Sequence, residues 1–163
     1  MQALKDNTTG YVSIVLAAPL VTQEYAAFGF SEPGQMVGST AVVTALSVTG
    51  RPVVTQYFLG GQDASQVVKD DTRLALTKKV EALYHAASKT VYVGLQVNFA
   101  ASKAVPNFII YSQGPASGDG STISYHRVAN IDKLENSQFP VGMLSSSHLF
   151  HVLLTWIIAL LNP

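Results

Sequence analysis

Cysteine is absent from the 163 residues of this chain. Its absence excludes disulfide bonds, iron–sulfur clusters held by thiolates, cysteine-rich zinc sites and a cysteine nucleophile. It does not identify the compartment, because secreted domains can also lack cysteine. A chain of this length buries a core large enough to fold as one domain without such cross-links.

Charge is also scarce. Charged residues make up 12% of the sequence, and the formal net charge is zero. A protein that binds nucleic acid presents a concentrated basic surface to the phosphates, so we expect no nucleic-acid partner. The first ten residues have neither the basic start nor the apolar run of a secretory signal, and we expect no export signal within this chain.

Motifs for hydrolysis or phosphate binding are missing as well. No serine lies in a Gly-x-Ser-x-Gly turn, and no glycine-rich phosphate loop is present. Asp70 and Asp71 are adjacent, and we expect both to be exposed rather than to form an acid–base pair. His148 and His151 would share a face on a terminal helix, a spacing that seldom means a metal site. The sequence therefore favours a protein that is not itself a catalyst.

Short apolar and β-branched runs recur along the chain, with glycine- and proline-containing turns between them. The spacing is typical of an all-β sandwich or barrel. A short helical turn is predicted near residues 64–68. The predicted strands are residues 11–17, 25–30, 40–48, 53–59, 80–86, 90–99, 107–112 and 122–126.

The run at residues 90–99 shows the alternation most clearly. Thr90, Gln96 and Asn98 lie on one face of a strand at period two, which predicts a half-buried strand. The opposite, apolar face carries Val91, Val93, Leu95, Val97 and Phe99.

The sequence predicts a domain boundary near Pro140. Residues 1–140 are predicted to form the sandwich, and residues 141–163 a polar hinge followed by a short apolar tail. The tail, residues 149–161, is shorter than the ~20 residues that span a bilayer. A buried terminal element, a membrane anchor and the beginning of a transmembrane region are the three alternatives, and we favour a membrane-proximal end.

Met36 lies on a glycine-rich turn directly after the predicted strand at residues 25–30. Thioether sulfur is a soft ligand that suits haem iron, and the turn at Pro33 and Gly34 leaves Met36 where a ligand could reach it. The alternative is that Met36 fills an apolar gap beneath the loop, as most methionines do.

His126 ends the last predicted strand, and a sandwich can bring it and Met36 to opposite faces of a planar cofactor. Imidazole and thioether together fill both axial positions of a haem and raise its reduction potential. Iron bound in this way passes single electrons and binds oxygen poorly. The alternative for His126 is a surface histidine beside Arg127.

Four ordered blocks of the sequence resemble the DOMON domain, in particular the plant proteins in which this domain precedes a transmembrane cytochrome b561 module. The first block contains the Met36 turn, and His126 lies beyond the last. The resemblance covers residues 10–132. The blocks are residues 25–43, 54–61, 91–97 and 107–115.

This resemblance implies an antiparallel β-sandwich of the immunoglobulin-like kind. In many members it holds haem b between an axial methionine, here Met36, and an axial histidine, here His126. His85 is the fallback ligand. The resemblance also implies electron transfer with a cytochrome b561 module and an ascorbate-linked donor at the extracellular face of a membrane. Phe28, Phe30 and Tyr111 are the expected pocket walls, although core packing explains them equally well.

Two departures from the family pattern give further expectations. The leading strand and signal peptide of the plant proteins are not in this sequence, and neither are the apolar helices that follow the domain, so we expect a chain truncated at both ends.

The alternative functions are a haem-free DOMON module that binds a sugar or another ligand, and an inactive fragment.

Overall fold

Nearly all of the ordered secondary structure is β-strand. The computed structural model describes residues 2–6, 8–104, 107–133 and 141–142. Two single turns of 3-10 helix, Ala64–Gln66 and Phe99–Ala101, interrupt the strands. The strands are β1 Gln2–Asp6, β2 Val12–Pro19, β3 Glu24–Ser31, β4 Ser39–Leu46, β5 Pro52–Leu59, β6 Val67–Lys69, β7 Glu81–His85, β8 Thr90–Val97, β9 Phe108–Pro115, β10 Val128–Lys133 and β11 Val141–Gly142.

The strands form two sheets. The five-stranded sheet has the order β11-β1-β2-β8-β7, and the six-stranded sheet has the order β10-β9-β3-β4-β5-β6. Every pair is antiparallel except β1 with β11. Two antiparallel sheets confirm the predicted all-β sandwich.

The core fills the space between the inner faces of the two sheets. Because side chains alternate across a strand, each of the long strands sends every second residue into this core. The apolar face predicted in β8 is confirmed, since its four valine and leucine side chains are fully buried. Core members include Ile14, Leu16, Phe28, Phe30, Val42, Leu46, Val91, Val93, Leu95 and Val97.

The prediction of a strand at residues 122–126 is wrong. That segment is a loop held by one isolated bridge between Ala116 and Ile123. Asp119 explains the difference, because its carboxylate accepts hydrogen bonds from Ser117 and Ser121 and folds the chain into a turn. The helical turn predicted near residues 64–68 is a 3-10 turn that leads into β6.

The sequence pattern missed four strands, namely β1, β6, β10 and β11. β11 lies just beyond the boundary predicted near Pro140 and pairs with β1. Of the hinge and apolar tail predicted at residues 141–163, residues 143–163 lie outside the described residues, and the domain division stays a prediction. Within the described residues, no helix has the length and hydropathy needed to cross a membrane.

Candidate functional site

The outer face of the six-stranded sheet is apolar and buried. An antiparallel sheet in a sandwich commonly turns a polar face to water, but here both faces of β3 and β4 are covered. The outer-face residues form a second apolar cluster, separate from the core, whose members are all 9% exposed or less. This outer cluster consists of Tyr25, Ala27, Ala41, Val43, Ala45, Tyr57 and Leu59.

Small residues in the middle of this face let other side chains lie flat against the sheet. Gly29 on β3 is opposite Ile110 on β9. A Cβ at Gly29 would lie 2.5 Å from Cγ1 of Ile110, so only glycine allows Ile110 to cross the strand there. The side chains packed on the outer cluster are Met36, Val67, Ile110, Ala116 and Ile123.

Met36 reaches the outer cluster from the loop between β3 and β4. The Oγ of Ser31 accepts hydrogen bonds from the amides of Gly34 and Gln35, at 3.0 and 3.1 Å. Ser39 donates from its Oγ to the carbonyl of Gln35, at 2.6 Å. These bonds fix the turn, and the half-buried Met36 side chain packs on the outer cluster.

His126 lies at the other end of the same sheet, in the connection between β9 and β10. The backbone on either side of it is bonded to β9, since the amides of Ser124 and Arg127 donate to the carbonyls of Pro115 and Gln113. Gly114 lies between these two carbonyls. A Cβ there would be 2.9 Å from Cα of His126 and 2.8 Å from the Tyr25 ring, so glycine lets the segment rest on the sheet.

The structure therefore places Met36 and His126 at opposite ends of one face. Tyr25, beside His126, and Ser31, which anchors the Met36 loop, are six residues apart on β3. At about 3.4 Å a residue, that separation is roughly 20 Å. The Met36 side chain packs on the outer cluster, the Cα of His126 lies beside Gly114, and the role of the two residues as a ligand pair stays a prediction.

Other residues named from the sequence lie elsewhere. Phe28 and Phe30 point into the core between the sheets, and Tyr111 packs edge-on against Phe28 with ring centres 5.4 Å apart. Core packing is therefore the role the structure gives these three rings, not that of walls beside Met36. The fallback ligand His85 is on β7, in the five-stranded sheet, where its Nδ1 is hydrogen-bonded to Ser88.

The electrostatic character of the outer face follows from its burial. Desolvation raises the pKa of the Tyr25 phenol, an effect that a hydrogen bond with Ser112 partly offsets. Burial likewise raises the pKa of Tyr57. Both rings stay neutral over the physiological range, so the face is uncharged as well as apolar.

The donor types suit a haem, but their placement does not, because two axial ligands bind one iron from opposite faces of the porphyrin and Met36 and His126 are separated by roughly 20 Å along one face of a sheet. Thioether and imidazole are the two axial ligands of low-spin electron-transfer haems. The apolar outer face is not an open surface for a porphyrin, because its residues are 9% exposed or less and other side chains, including Ile110 over Gly29, pack on it. The described residues contain no cluster of three or more histidine, aspartate or glutamate side chains that would suit a different metal centre.

A separate pocket of about 280 Å³ opens at the corner where β2 faces β9 and β10. It lies on the inner side of the six-stranded sheet, away from Met36. Its described lining carries no charged side chain, and the amide of Gln113 closes one side by donating to the carbonyl of Pro19 at 2.8 Å. The lining includes Ala17, Ala18, Phe28, Tyr111, Ser112, Val128 and Asn130.

Several residues that build the site were not identified from the sequence. No pattern in the sequence distinguishes the serines that fix the Met36 loop or the glycine beneath His126 from other serines and glycines. One signal was available for the outer face, since residues 25–30 and 40–46 are apolar at nearly every position instead of alternating. A continuous apolar run in an antiparallel strand indicates that both of its faces are covered.

Comparison with curated proteins finds similarity to a cytochrome b561 and DOMON domain-containing protein of Arabidopsis thaliana, 37% identical over 97 residues. The match covers 58% of this chain, which spans only 23% of the Arabidopsis protein. No protein-family model and no solved structure matches the chain. The β-sandwich and this similarity together support a DOMON-related domain in this chain.

Proposed function

We propose that this domain binds a b-type haem through Met36 and His126 and passes single electrons. The observation that carries the proposal is the similarity to a cytochrome b561 and DOMON domain-containing protein, together with the thioether of Met36, which packs on the apolar outer face of the six-stranded sheet. His126 lies at the other end of that sheet, so the proposal requires the Met36 loop or the His126 connection to move when the cofactor binds.

Each part of the chain has a distinct task in this proposal. Met36 and His126 supply the two axial donors, and Ser31 and Ser39 fix the loop that presents the thioether. A bound haem would supply one-electron chemistry, and with both axial positions filled by protein it would leave no site for a substrate.

The proposed partner is a cytochrome b561 module, which the name of the Arabidopsis relative pairs with a DOMON domain. We place the domain at the extracellular face of a membrane, with an ascorbate-linked donor, on the strength of the family resemblance. The domain itself then acts as an electron carrier, and the reactions at either end belong to its neighbours.

Reconstitution with haem tests the proposal. The purified chain should take up one haem and give a low-spin, six-coordinate spectrum that sharpens on reduction. Met36→Leu and His126→Ala should each remove one axial ligand and convert the spectrum to a high-spin form. His85→Ala is the matched control, because it removes a histidine from the other sheet and should leave the spectrum unchanged.

Two outcomes would contradict the assignment. A folded chain that stays colourless after exposure to haem would show that the outer face does not accept the cofactor. A low-spin spectrum that survives His126→Ala and disappears with His85→Ala would move the ligand to the other sheet.

The corner pocket favours a second candidate, a haem-free module that binds a small neutral ligand such as a sugar. Its lining combines aromatic rings with the amides of Gln113 and Asn130, and its volume is near the lower end of ligand sites. Nuclear magnetic resonance titration with neutral sugars tests this candidate. Saturable shifts confined to Asn130 and its neighbours would support it, and uniform or absent shifts would dismiss it.

A further inference from the structure

The core-facing side of β10 carries an apolar side chain that no described strand covers. Asn130 on β10 is opposite Tyr111 on β9, and Tyr111 packs on Phe28 in the core. Val128 is two residues before Asn130, so its side chain is on the same side of the sheet. Val128 nevertheless has 56% of its surface exposed. Within the described residues, the five-stranded sheet therefore does not extend over this valine.

The reason is that β1 is shorter than β2. Gln2, the first residue of β1, is opposite Val15 on β2. Residues 16–19 of β2 pair with β8 on one side and have no described strand on the other. The corner pocket lies in this gap, because its lining combines Ala17 with Val128 and Asn130. We call the gap between residues 16–19 of β2 and the inner face of β10 the strand slot.

The backbone of Ala17 points into the strand slot. In an antiparallel sheet, the N–H and C=O groups of successive residues point alternately to the two neighbouring strands. The amide of Leu20 donates to the carbonyl of Lys89 on the β8 side, and the carbonyl of Tyr11 accepts from the amide of Asp6 on the β1 side, each at 2.8 Å. Ala17 is six residues from Tyr11 and three from Leu20. Its N–H and C=O therefore point away from β8, as those of Tyr11 do.

Ala17 thus presents the two groups that an added strand uses. An edge strand with an N–H and a C=O that no neighbouring strand takes up is a template for another chain. Pro19 points the same way but has no N–H, and its carbonyl accepts from Nε2 of Gln113 at 2.8 Å. The β2 side of the strand slot therefore offers one donor and one acceptor, both from Ala17, to a chain that lies in it.

We propose that the strand slot binds an extended, uncharged peptide segment of a partner protein, which pairs with β2 in the antiparallel orientation of β1. The proposal does not depend on haem binding. A strand added in this way gains affinity from main-chain hydrogen bonds and specificity from side-chain pockets. The described lining has no charged side chain, which favours an uncharged segment. The slot continues the line of β1, which favours the antiparallel orientation.

The register predicts which peptide side chains enter the pocket. Ala17 is exposed, whereas its neighbours Leu16 and Ala18 are buried in the core, so the Ala17 side chain points away from the core. In an antiparallel pair, the residue opposite Ala17 points the same way and exchanges both hydrogen bonds with it. The peptide residues on either side then point inward, where they cover Val128 and pack beside Tyr111. A segment of alternating polar and apolar residues meets this requirement.

Nuclear magnetic resonance titration with a synthetic peptide tests the proposal. The probe is a pentapeptide of alternating threonine and valine, with threonine at both ends and with both termini capped. It should shift the amides of Ala17, Val128 and Asn130 saturably, and it should slow the hydrogen exchange of the Ala17 amide. Methylating the three threonine nitrogens should abolish binding, because they face β2. Methylating the two valine nitrogens is the matched control, because these nitrogens face away from β2 and binding should be retained.

Two variants of the protein test the same contacts. Val128→Asp places a charge over the slot and should weaken binding at least about tenfold. Val68→Asp is its control, because Val68 is 50% exposed on β6, at the opposite edge of the same sheet. Ala17→Pro removes only the N–H that faces the slot, a change that an edge position tolerates. It should weaken binding roughly three- to tenfold.

Four results would overturn the proposal. The first is equal binding of the two methylated peptides, and the second is unchanged binding by Val128→Asp. The third is an Ala17 amide that is protected from exchange before peptide is added, because this chain or a second copy would then already fill the slot. The fourth is a set of shifts at these residues with neutral sugars and none with the peptide.

Discussion

The outer faces of the two sheets differ in side-chain chemistry. On the five-stranded sheet, Gln96 donates from its side-chain amide to Ser13 and accepts a short hydrogen bond from Thr77. On the six-stranded sheet, the equivalent positions carry alanine, valine and tyrosine, and none of the seven members of the outer cluster is charged. Side-chain hydrogen bonds stabilise the outer face of the five-stranded sheet, and apolar contacts stabilise that of the six-stranded sheet.

The two faces differ in the hydrogen bonds that a new contact would break. Hydrogen-bonded side chains on the five-stranded sheet have fixed partners, and a buried polar group that loses its partner costs about 1–3 kcal/mol. Apolar side chains on the six-stranded sheet exchange one contact for another without that cost. A contact at the apolar face therefore breaks no side-chain hydrogen bonds, whereas one at the five-stranded sheet does.

The largest expected effect comes from placing a charge on each face in turn. Ala41, 2% exposed, is in the outer cluster, and Ala17 is an exposed residue on the outer face of the five-stranded sheet. Ala41→Asp should lower the free energy of unfolding by about 3–5 kcal/mol, because its carboxylate would be buried without a partner. Ala17→Asp should change it by less than about 1 kcal/mol.

Urea denaturation of both variants measures this contrast. If Ala41→Asp fails to fold, Ala41→Ser gives a milder version of the same comparison, with Ala17→Ser as its match. Equal losses at the two positions would show that the outer faces do not differ in the way the structure indicates.

A smaller effect is expected from Gly29→Ala. The new methyl group would lie 2.5 Å from Cγ1 and 2.8 Å from Cδ1 of Ile110, so the isoleucine must move off the face. We expect a loss of about 1–3 kcal/mol, the usual cost of overpacking. Thermal or urea unfolding measures it.

Ile110→Ala in the same chain provides the control for this steric explanation. Once the isoleucine side chain is shortened, the extra methyl group at residue 29 should cost much less, and the two substitutions should be clearly non-additive. Additive losses would mean that the cost arises from the strand itself and not from Ile110.

The smallest effect concerns the loop that covers one end of the outer cluster. Hydrogen bonds from Ser117 and Ser121 lower the pKa of Asp119 to about 2, below its value of about 3.9 in an unfolded chain. The ionised carboxylate therefore stabilises the fold above about pH 4, and this contribution is lost as the pH falls toward about 2.

Asp119→Asn should remove that part of the acid dependence. Unfolding measured across this pH range should show wild type and variant converging as the pH falls. The double substitution Ser117→Ala and Ser121→Ala should remove part of the acid dependence, because the two hydroxyl donors are lost while the backbone amide at residue 121 still donates to the carboxylate. A wild-type profile that stays parallel to the variant throughout would contradict the assignment.

The strands with strong alternation were predictable from sequence. β8 is the clearest case, because valine and leucine residues at period two lie on one buried face only if the segment is a strand. β6 and β10 were missed for the opposite reason, since Val67–Lys69 and Val128–Lys133 are short edge strands with mixed composition. Their pairing depends on the neighbouring strand and not on their own pattern.

The sequence by itself determined the sandwich, the turn that carries Met36 and the similarity to the DOMON domain. These features depend on local alternation, on turn chemistry and on residue identity, which a linear chain displays directly. Only the tertiary structure decided that Phe28 and Phe30 face the core while Ala27 and Gly29 face outward. The strand register assigns every second side chain to one face, and that register is set by partners far away in the sequence.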